Sequence, residues 1–272
     1  MVILPKAKIN IGLRITERRD DGYHNLQTIF YPINLADILE FIVPAEKLSR
    51  DILTMTGIPM AVDQEENLVM KALWKMREFC KIPYLKIHLH KIIPAGAGLG
   101  GGSSDAASFL KILNRYFCFN LSDKELKEMA LSLGSDCPFF IDSQPVFAEG
   151  RGEIMSPVEM LPDGLFIVLL KPDINISTRE AFAGCRPYRS NLTPSDHYRA
   201  DISLWKEHMV NDFEKSVIPL HPVIGEMKKA LYDMGALFSS MTGSGSAVYG
   251  IFYTRPLIPD QIKSYLIYSG IL

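Results

Sequence analysis

The feature that most constrains this chain is a glycine-rich loop between a predicted strand and a predicted helix. Five of the seven residues from Gly96 to Gly102 are glycine. Before the loop, Leu85, Ile87 and Leu89 alternate with polar residues, as in a strand, and after it the apolar residues of segment 106–117 recur at helical spacing. Glycine lets backbone N–H groups approach a ligand closely, and a helix N-terminus carries partial positive charge. The order therefore predicts a phosphate-binding loop rather than a flexible linker or a tight turn.

The loop also fits other nucleotide motifs in part. Residues 96–101 satisfy the dinucleotide pattern G-x-G-x-x-G, which would predict an oxidoreductase that binds NAD. That fold places an acidic residue at the end of the next strand, whereas Asp123 and Glu125 begin a helix that Ser122 caps. A Walker motif needs a lysine after the glycines, and the protein-kinase signatures H-R-D and D-F-G do not occur. We therefore disfavour all three readings.

The N-terminal segment predicts a strand followed by a tight turn. Apolar residues alternate with polar ones from Ile3 to Leu13, so Lys8 and Asn10 are expected on the same, polar face of a half-buried strand. The turn chemistry of segment 18–22 then presents Tyr23 and His24 at its tip.

The remaining pattern predicts alternating strands and helices. We expect strands at 37–43, 165–170 and 247–252, helices from near Asn67, from Ser122 to Gly134 and from Pro222 to Met234, a second glycine turn at Thr242–Ser246 and a short final helix. Ser103 or Ser104 is expected to cap the helix after the first glycine loop. A new unit is expected to begin at about 155–165.

Composition excludes several classes of function. The 29 Lys and Arg residues nearly balance 31 Asp and Glu residues, so no overall field favours nucleic acid or an anionic membrane. No apolar run could cross a bilayer and no secretory signal is evident, so we expect a cytoplasmic protein. The four cysteines are too scattered for a zinc site or a disulfide scaffold. His88 and His90 share one strand face without a third ligand, so no protein-held metal site is assigned.

Four motifs together carry a family resemblance. Residues 94–104 resemble the ATP loop of the GHMP kinases, in the longer three-glycine form of the diphosphocytidyl-methylerythritol kinases. Three further motifs follow the order of that family: Ala7–Asn10 with Gly22–His24, Gly134–Phe140, and Thr242–Ser246. The resemblance extends from about residue 5 to 250.

The resemblance implies an α+β, two-domain GHMP kinase fold. It would have a ribosomal protein S5 domain 2-like N-terminal domain over residues 1–158 and a ferredoxin-like C-terminal domain over residues 159–272. It also implies transfer of the ATP γ-phosphate, with Mg²⁺, to the 2-hydroxyl of 4-diphosphocytidyl-2-C-methyl-D-erythritol, on the non-mevalonate route to isopentenyl diphosphate. Partners would be small molecules only, with the protein a monomer or weak homodimer.

The resemblance assigns Asp136 as general base and Lys8 as the cation that pairs with it and with the phosphate. By itself, Asp136 before Cys137-Pro138 reads more readily as a helix cap, and Lys8 as a solvated strand residue. Their placement with the glycine loop favours the catalytic reading, because phosphoryl transfer needs a proton acceptor and cations.

The resemblance also implies ligand contacts. ATP would be bound by Asn67, Lys91, Pro94, Ala95, Gly96, Ala97, Gly98, Leu99, Gly100, Gly101, Gly102, Ser103 and Ser104. Ser104, with Ser103, would lie near Mg²⁺, although no acidic Mg²⁺ ligand is identified and Asp105 stands where the family often has Asn. The cytidyl substrate would be bound by Asn10, Tyr23, His24, Thr178, Phe182, Gly243 and Ser244. Phe182 alone could equally be a core aromatic.

Two other interpretations remain open. A GHMP kinase for another alcohol, such as mevalonate or homoserine, would share the ATP loop. A nucleotide-binding sensor without catalysis would bind ATP without turnover, and the presence of both Lys8 and Asp136 argues against it.

Overall fold

The computed structural model describes residues 1–60, 63–188 and 193–272. Over these ranges the strands follow the alternating and apolar runs of the sequence. In chain order they are β1 (Val2–Ile3), β2 (Lys6–Arg18), β3 (His24–Ala36), β4 (Ile38–Ile42), β5 (Ile52–Gly57), β6 (Lys86–Lys91), β7 (Val146–Glu149), β8 (Ile154–Pro157), β9 (Phe166–Leu170), β10 (Phe238–Met241), β11 (Val248–Phe252) and β12 (Leu266–Ile271).

The helices occupy the segments with 3.6-residue apolar spacing and several short connections. In chain order they are α1 (Leu68–Arg77), α2 (Gly101–Tyr116), α3 (Asp123–Leu133), α4 (Phe139–Asp142), α5 (Thr178–Ala183), α6 (Pro194–Tyr198), α7 (Trp205–His208), α8 (Glu214–Leu220), α9 (Pro222–Asp233) and α10 (Asp260–Lys263), with a 3₁₀ turn at Ile202–Leu204. None of the helices within the described ranges is long and apolar enough to cross a membrane.

The chain divides into two compact units. The first comprises residues 1–7, 35–95 and 100–144, and the second comprises residues 8–34, 96–99 and 145–272. The glycine loop is thus shared, because its residues 96–99 belong to the second unit and the rest to the first. The sequence-based domain boundary near residue 158 stays a prediction.

The first unit packs helices against one sheet. Its strand order is β1-β4-β6-β5, antiparallel except for the parallel pair β5 and β6. Helices α1, α2 and α3 contact one another. On β4, Phe41 meets Phe109 of α2 edge to face at 5.7 Å, so aromatic packing fixes α2 against the sheet.

The second unit contains two further sheets, with orders β2-β3-β7-β8 and β10-β11-β9-β12. Helix α9 packs on β10 and β11. A buried apolar cluster joins Leu13 and Ile15 of β2 with Val168 of β9, Phe213 and Met227. Both sheets therefore contribute to one core, which burial of apolar surface stabilises.

Most predicted elements are confirmed, with two corrections in the N-terminal half. The predicted first strand is not half-buried, since Lys8 and Asn10 are each only 3% exposed. The predicted serine cap of α2 is wrong: Gly100, with a φ of 70°, is the N-cap, so Ser103 and Ser104 lie inside the first turn. Glycine adopts the left-handed conformation without strain, so the helix begins directly after Gly100, before the two serines.

Several strands were not expected from the sequence, namely β3, β5, β7, β8, β10 and β12. β3 carries Pro32 and Asn34 within an apolar run, which weakens the alternation that predicts a strand. β12 follows the predicted final helix and pairs with β9 with a register shift near Tyr268. The pairing partner, which lies about a hundred residues away, is a tertiary feature that a local pattern does not contain.

Candidate active site

The upstream half of the glycine loop, residues 96–99, is fixed by backbone contacts inside the second unit. The N–H of Lys8 donates to the carbonyl of Leu99 at 3.0 Å, and the N–H of Ala247 donates to that of Ala97 at 3.3 Å. A Cβ added to Gly98 would lie 1.9 Å from the carbonyl oxygen of Thr242. No side chain fits at this position. Residue 98 must therefore be glycine for the loop to pack against the second glycine turn.

The second glycine turn is equally close-packed. A Cβ on Gly245 would lie 2.1 Å from the backbone nitrogen of Gly98, and one on Gly243 would lie 3.2 Å from Oδ1 of Asn10. The side-chain amide of Asn211 donates to the carbonyls of Met241 and Gly243 at 2.8 and 2.9 Å. The predicted ligand residues Gly243 and Ser244 therefore lie in a turn that the first loop and β2 both contact.

Lys8 and Asn10 join this cluster through one polar network. The ammonium of Lys8 donates to Oδ1 of Asn10 at 2.6 Å and lies 4.9 Å from the ring centroid of Phe30. The side-chain amide of Asn10 donates to Oγ1 of Thr28 at 3.1 Å, and its backbone N–H donates to Oγ1 of Thr242 at 3.0 Å. A buried amide with these partners has a fixed orientation. Its Oδ1 holds the ammonium and also lies 3.4 Å from Oγ1 of Thr242 in the second glycine turn.

The predicted base-recognition residues also meet in the second unit. The rings of His24 and Phe182 are stacked with centroids 4.6 Å apart, and Phe182 meets Phe213 edge to face at 4.8 Å. Burial, with a smaller effect of the Arg18 charge, lowers the pKa of His24. A neutral imidazole offers one donor and one acceptor, which suits reading the edge of a base.

Tyr23 lies at the exposed tip of the turn between β2 and β3. The residue is 56% exposed, and the guanidinium of Arg151 lies 5.1 Å from the centroid of its ring. Thr178, the first residue of α5, is also exposed. Both residues are accessible to a ligand from solvent.

The downstream half of the loop begins α2 in the first unit. A Cβ on Gly101 would lie 2.8 Å from Cγ2 of Ile93 and 3.4 Å from the ammonium of Lys91, and one on Gly102 would lie 3.4 Å from Leu68. The Oγ atom of Ser104 is buried and has no hydrogen-bond partner among the described residues. A hydroxyl is an oxygen ligand of the kind that Mg²⁺ takes, so Ser104 fits a cation held by bound phosphates.

A buried ionic cluster lies beneath this half of the loop. The Lys91 ammonium pairs with the carboxylates of Asp37 and Asp105, the latter at 2.7 Å. Asp37 also accepts from the backbone N–H groups of Ile92 and Ile93 at 2.5 and 2.8 Å. Burial, partly offset by Lys91 and reinforced by Asp37, raises the pKa of Asp105 to about 7. Lys91, predicted to line the ATP pocket, thus already has two partners within the protein.

Asn67, the other residue predicted near ATP, caps α1. Its Oδ1 accepts from the N–H of Val69 at 2.9 Å, and its amide contacts the sulfur of Met55 at 3.4 Å. The sequence reasoning did not include Asp37, Thr28 or Asn211 in the site. The sequence shows that these residues are polar, but each forms hydrogen bonds with a segment distant in the sequence, which no local pattern predicts.

Asp136 lies in the turn between α3 and α4, also in the first unit. The alternative that Asp136 is a helix N-cap is wrong, because the N-cap of α4 is Pro138. Burial, with opposing effects of the Ser103 hydroxyl and the Asp136 charge, raises the pKa of the adjacent Cys137 thiol to about 11. Asp136 is therefore next to a protonated thiol that contacts the first turn of α2. Lys8 belongs to the other unit, so its pairing with Asp136 stays a prediction.

The two strand-face histidines have protein partners. Oγ1 of Thr56 lies 2.8 Å from Nε2 of His88 and 2.8 Å from Nδ1 of His90, and Nδ1 of His88 lies 3.0 Å from Oε1 of Glu40. The hydroxyl can donate to one ring and accept from the other.

Two family models match the chain. The model described as GHMP kinases N terminal domain matches residues 67–144, which include the glycine loop and Asp136. The model described as GHMP kinases C terminal matches residues 195–267. These matches agree with the α+β, two-domain fold class predicted from the motifs.

Curated relatives and solved structures extend the similarity over nearly the whole chain. The 4-diphosphocytidyl-2-C-methyl-D-erythritol kinase of Bacteroides thetaiotaomicron is 49% identical over 96% of this chain and 95% of its own length. A crystal structure of 4-(cytidine 5'-diphospho)-2C-methyl-D-erythritol kinase superimposes with a TM-score of 0.78 at 30% identity, covering 100% of this chain and 98% of its own. The homoserine kinase of Cytophaga hutchinsonii, at 17% identity and a TM-score of 0.63 over 92% of this chain and 85% of its own, shares the fold. The predicted fold class is confirmed.

Proposed function

Because the chain belongs to the GHMP kinases and, within them, to the 4-diphosphocytidyl-2-C-methyl-D-erythritol kinase family, we propose that it transfers the ATP γ-phosphate to the 2-hydroxyl of 4-diphosphocytidyl-2-C-methyl-D-erythritol. The family is one of kinases for which ATP is the phosphate donor. The products would be ADP and the 2-phosphate. One observation carries the proposal: the Lys8 ammonium donates to Asn10, which bonds to Thr242, and the hydroxyl of Thr242 donates to the carbonyl of Gly98 in the first glycine loop.

The glycine loop would bind the triphosphate. Its glycines leave the backbone N–H groups accessible to a ligand. The N-terminus of α2, which begins at Gly101, carries partial positive charge that would attract the phosphates. The Lys8 ammonium would add a full charge beside the transferred group, where negative charge develops. Asn10 holds that ammonium in place through its Oδ1.

Asp136 would accept the proton of the substrate hydroxyl. It lies in the turn between α3 and α4, beside Cys137, whose thiol contacts Ser103 in the first turn of α2. Pairing with Lys8, as the family motifs imply, would orient this carboxylate. A positioned general base of this kind contributes about 10²- to 10⁴-fold to rate.

Mg²⁺ would neutralise phosphate charge while bound with ATP. Ser104, with its unsatisfied buried hydroxyl, and Ser103 in the same turn are the residues that would lie next to it. This hydroxyl would thereby gain the partner that a buried polar group requires.

The stacked pair of His24 and Phe182 would form one wall of the cytosine site. Stacking of a base on an aromatic ring contributes about 1–3 kcal/mol, enough to select a cytidyl substrate over an alcohol without a base. Tyr23 and Thr178, both exposed, would complete the entrance to this site, with Gly243 and Ser244 near the transferred phosphate.

Several broader features remain part of the proposal. We propose a cytoplasmic protein that acts as a monomer or weak homodimer on small molecules, without nucleic-acid or membrane partners. Residues 1–158 would form the N-terminal domain of the family and residues 159–272 its C-terminal domain.

The function is tested by ADP release from Mg²⁺-ATP with the cytidyl substrate, mevalonate and homoserine in parallel. We expect turnover with the cytidyl substrate alone and a loss of about 10²- to 10⁴-fold in kcat for Asp136→Asn. Asp142→Asn is the matched control, because Asp142 pairs with exposed Lys127 in the same unit.

Turnover with mevalonate or homoserine instead would reject the substrate. ATP binding without turnover on any of the three alcohols would favour the sensor interpretation. An Asp136→Asn variant as active as Asp142→Asn would remove Asp136 from the chemistry.

A further inference from the structure

Helix α5 carries Phe182 but is too short to hold its own position. It comprises six residues, Thr178–Ala183, capped by Ser177. An isolated helix of this length is unstable in water, because nucleation costs more than so few hydrogen bonds return. The direction of the Phe182 ring therefore depends on what anchors α5 to its surroundings.

Two polar contacts attach α5 to α8, one from its third residue, Ser216, and one from its C-cap, His221. Nε2 of His221 lies 2.6 Å from Oε1 of Glu180, and the hydroxyl of Ser216 donates to the carbonyl of Ala181 at 2.8 Å. The side chains of His221 and Glu180 are only 25% and 34% exposed, so water competes weakly for this contact. A Cβ on Gly184 would lie 2.5 Å from Cβ of Ser216, so the two helices also approach closely at this point.

His221 is itself firmly placed. It is the C-cap of α8, its backbone N–H donates to the carbonyl of Val217 at 2.8 Å, and Pro222 begins α9 directly after it. Val217 is buried in the apolar cluster of the second unit together with Ala181 of α5. The imidazole thus projects from a fixed point of the core toward α5.

We propose that His221 is a positioning residue for the cytidyl substrate: through Glu180 it fixes α5 and so keeps the Phe182 ring in register with His24. The inference rests on the proposed function, in which Phe182 stacks on the cytosine. His221 acts only through α5, and the phosphate-binding half of the reaction is independent of it. Loss of the contact weakens binding of the cytidyl substrate and leaves ATP binding unchanged.

The test is a double-mutant cycle between His221→Ala and Phe182→Ala, read as separate KM values for the two substrates. We expect His221→Ala to raise KM for the cytidyl substrate about 5- to 10-fold, with kcat and KM for ATP within about twofold of wild type. Phe182→Ala raises the same KM about 10- to 100-fold. In the Phe182→Ala background, His221→Ala adds less than about twofold, because the ring it positions is gone.

The conservative variant separates positioning from general destabilisation. In His221→Gln the side-chain amide can still donate to Glu180, so we expect KM to return to within about twofold of wild type. If His221→Ala no longer unfolds cooperatively, Glu180→Ala on the partly exposed side of the contact replaces it in the cycle. An unchanged KM, or an equal effect in both backgrounds, overturns the proposal.

Failure of the proposed function gives a different result. A folded wild-type protein without turnover on the cytidyl substrate rejects that function before any variant is compared. If the wild type is active but the effects of His221→Ala and Phe182→Ala on KM are additive, only the role of His221 is rejected.

Discussion

The two halves of the first glycine loop are held in place by different physical means. Residues 96–99 are fixed by uncharged backbone contacts to β2 and to the second glycine turn. Residues 100–105 begin α2 above the buried cluster of Lys91, Asp37 and Asp105. One continuous motif thus depends on steric fit on one side and on buried charge on the other.

The difference determines how each half responds to change. The contacts around Gly98 involve no titratable group, so they do not change with pH, but they leave no room for a Cβ atom. The ionic cluster accepts a change of side-chain charge without a clash, but its free energy varies with pH, because Asp105 titrates near neutrality. The comparison therefore predicts two kinds of variant effect within ten residues.

The largest effect is expected for Gly98→Ala. The added methyl carbon would lie 1.9 Å from the carbonyl oxygen of Thr242, so the loop and the second glycine turn must separate. We expect a loss of about 100-fold or more in kcat/KM for ATP, because displacement of a binding loop by about 1 Å can cost this much. Steady-state kinetics at saturating cytidyl substrate measures it.

Gly96→Ala is the matched control. Gly96 has a similarly positive φ of +66°, but an added Cβ would meet no atom within 4 Å. Left-handed backbone costs an alanine about 1–2 kcal/mol, so a smaller loss of about 5- to 30-fold is expected. Equal losses in the two variants would contradict the claim that steric fit, rather than backbone freedom, sets the requirement at Gly98.

A smaller, pH-dependent effect is expected for Asp105→Asn. Because burial raises the pKa of Asp105 to about 7, the folded protein binds a proton that the unfolded chain releases. The stability contributed by this proton is complete at pH values below the unfolded pKa and is lost as the pH rises through 7. The asparagine mimics the protonated form, so the free energy of unfolding of the variant should fall less between pH 5 and pH 8, by about 1–3 kcal/mol.

Urea unfolding of wild type and variant at pH 5, 6, 7 and 8 measures this difference. Asp142→Asn, whose exposed carboxylate pairs with Lys127, is the control and should parallel the wild type. Parallel curves for Asp105→Asn and wild type would show that the cluster does not hold a titrating proton.

Local sequence patterns predicted much of this arrangement. The capping box of Ser122 and Glu125, the start of α1 after Asn67 and the strand before the loop are each set by neighbouring residues, and the structure contains them all. The motifs also placed both glycine segments, at residues 96–102 and 242–246, and the structure contains turns at both. These features depend on contacts within a few residues, which a single sequence displays.

Long-range contacts were not predictable in the same way. Asp37 pairs with Lys91 from 54 residues away, and Thr28 and Asn211 complete a network whose members only the fold brings together. Burial of Lys8 and Asn10 was missed because alternation assigns one face of a strand to solvent, whereas packing on both faces is a tertiary property.

The most direct test of the central claim is phosphorus NMR of the products formed from Mg²⁺-ATP and 4-diphosphocytidyl-2-C-methyl-D-erythritol. We predict one new phosphomonoester signal, formed in equal amount with ADP and unsplit without proton decoupling, because the esterified C2 of the methylerythritol part carries no hydrogen. A monoester on another carbon, or inorganic phosphate without a monoester, would contradict the account.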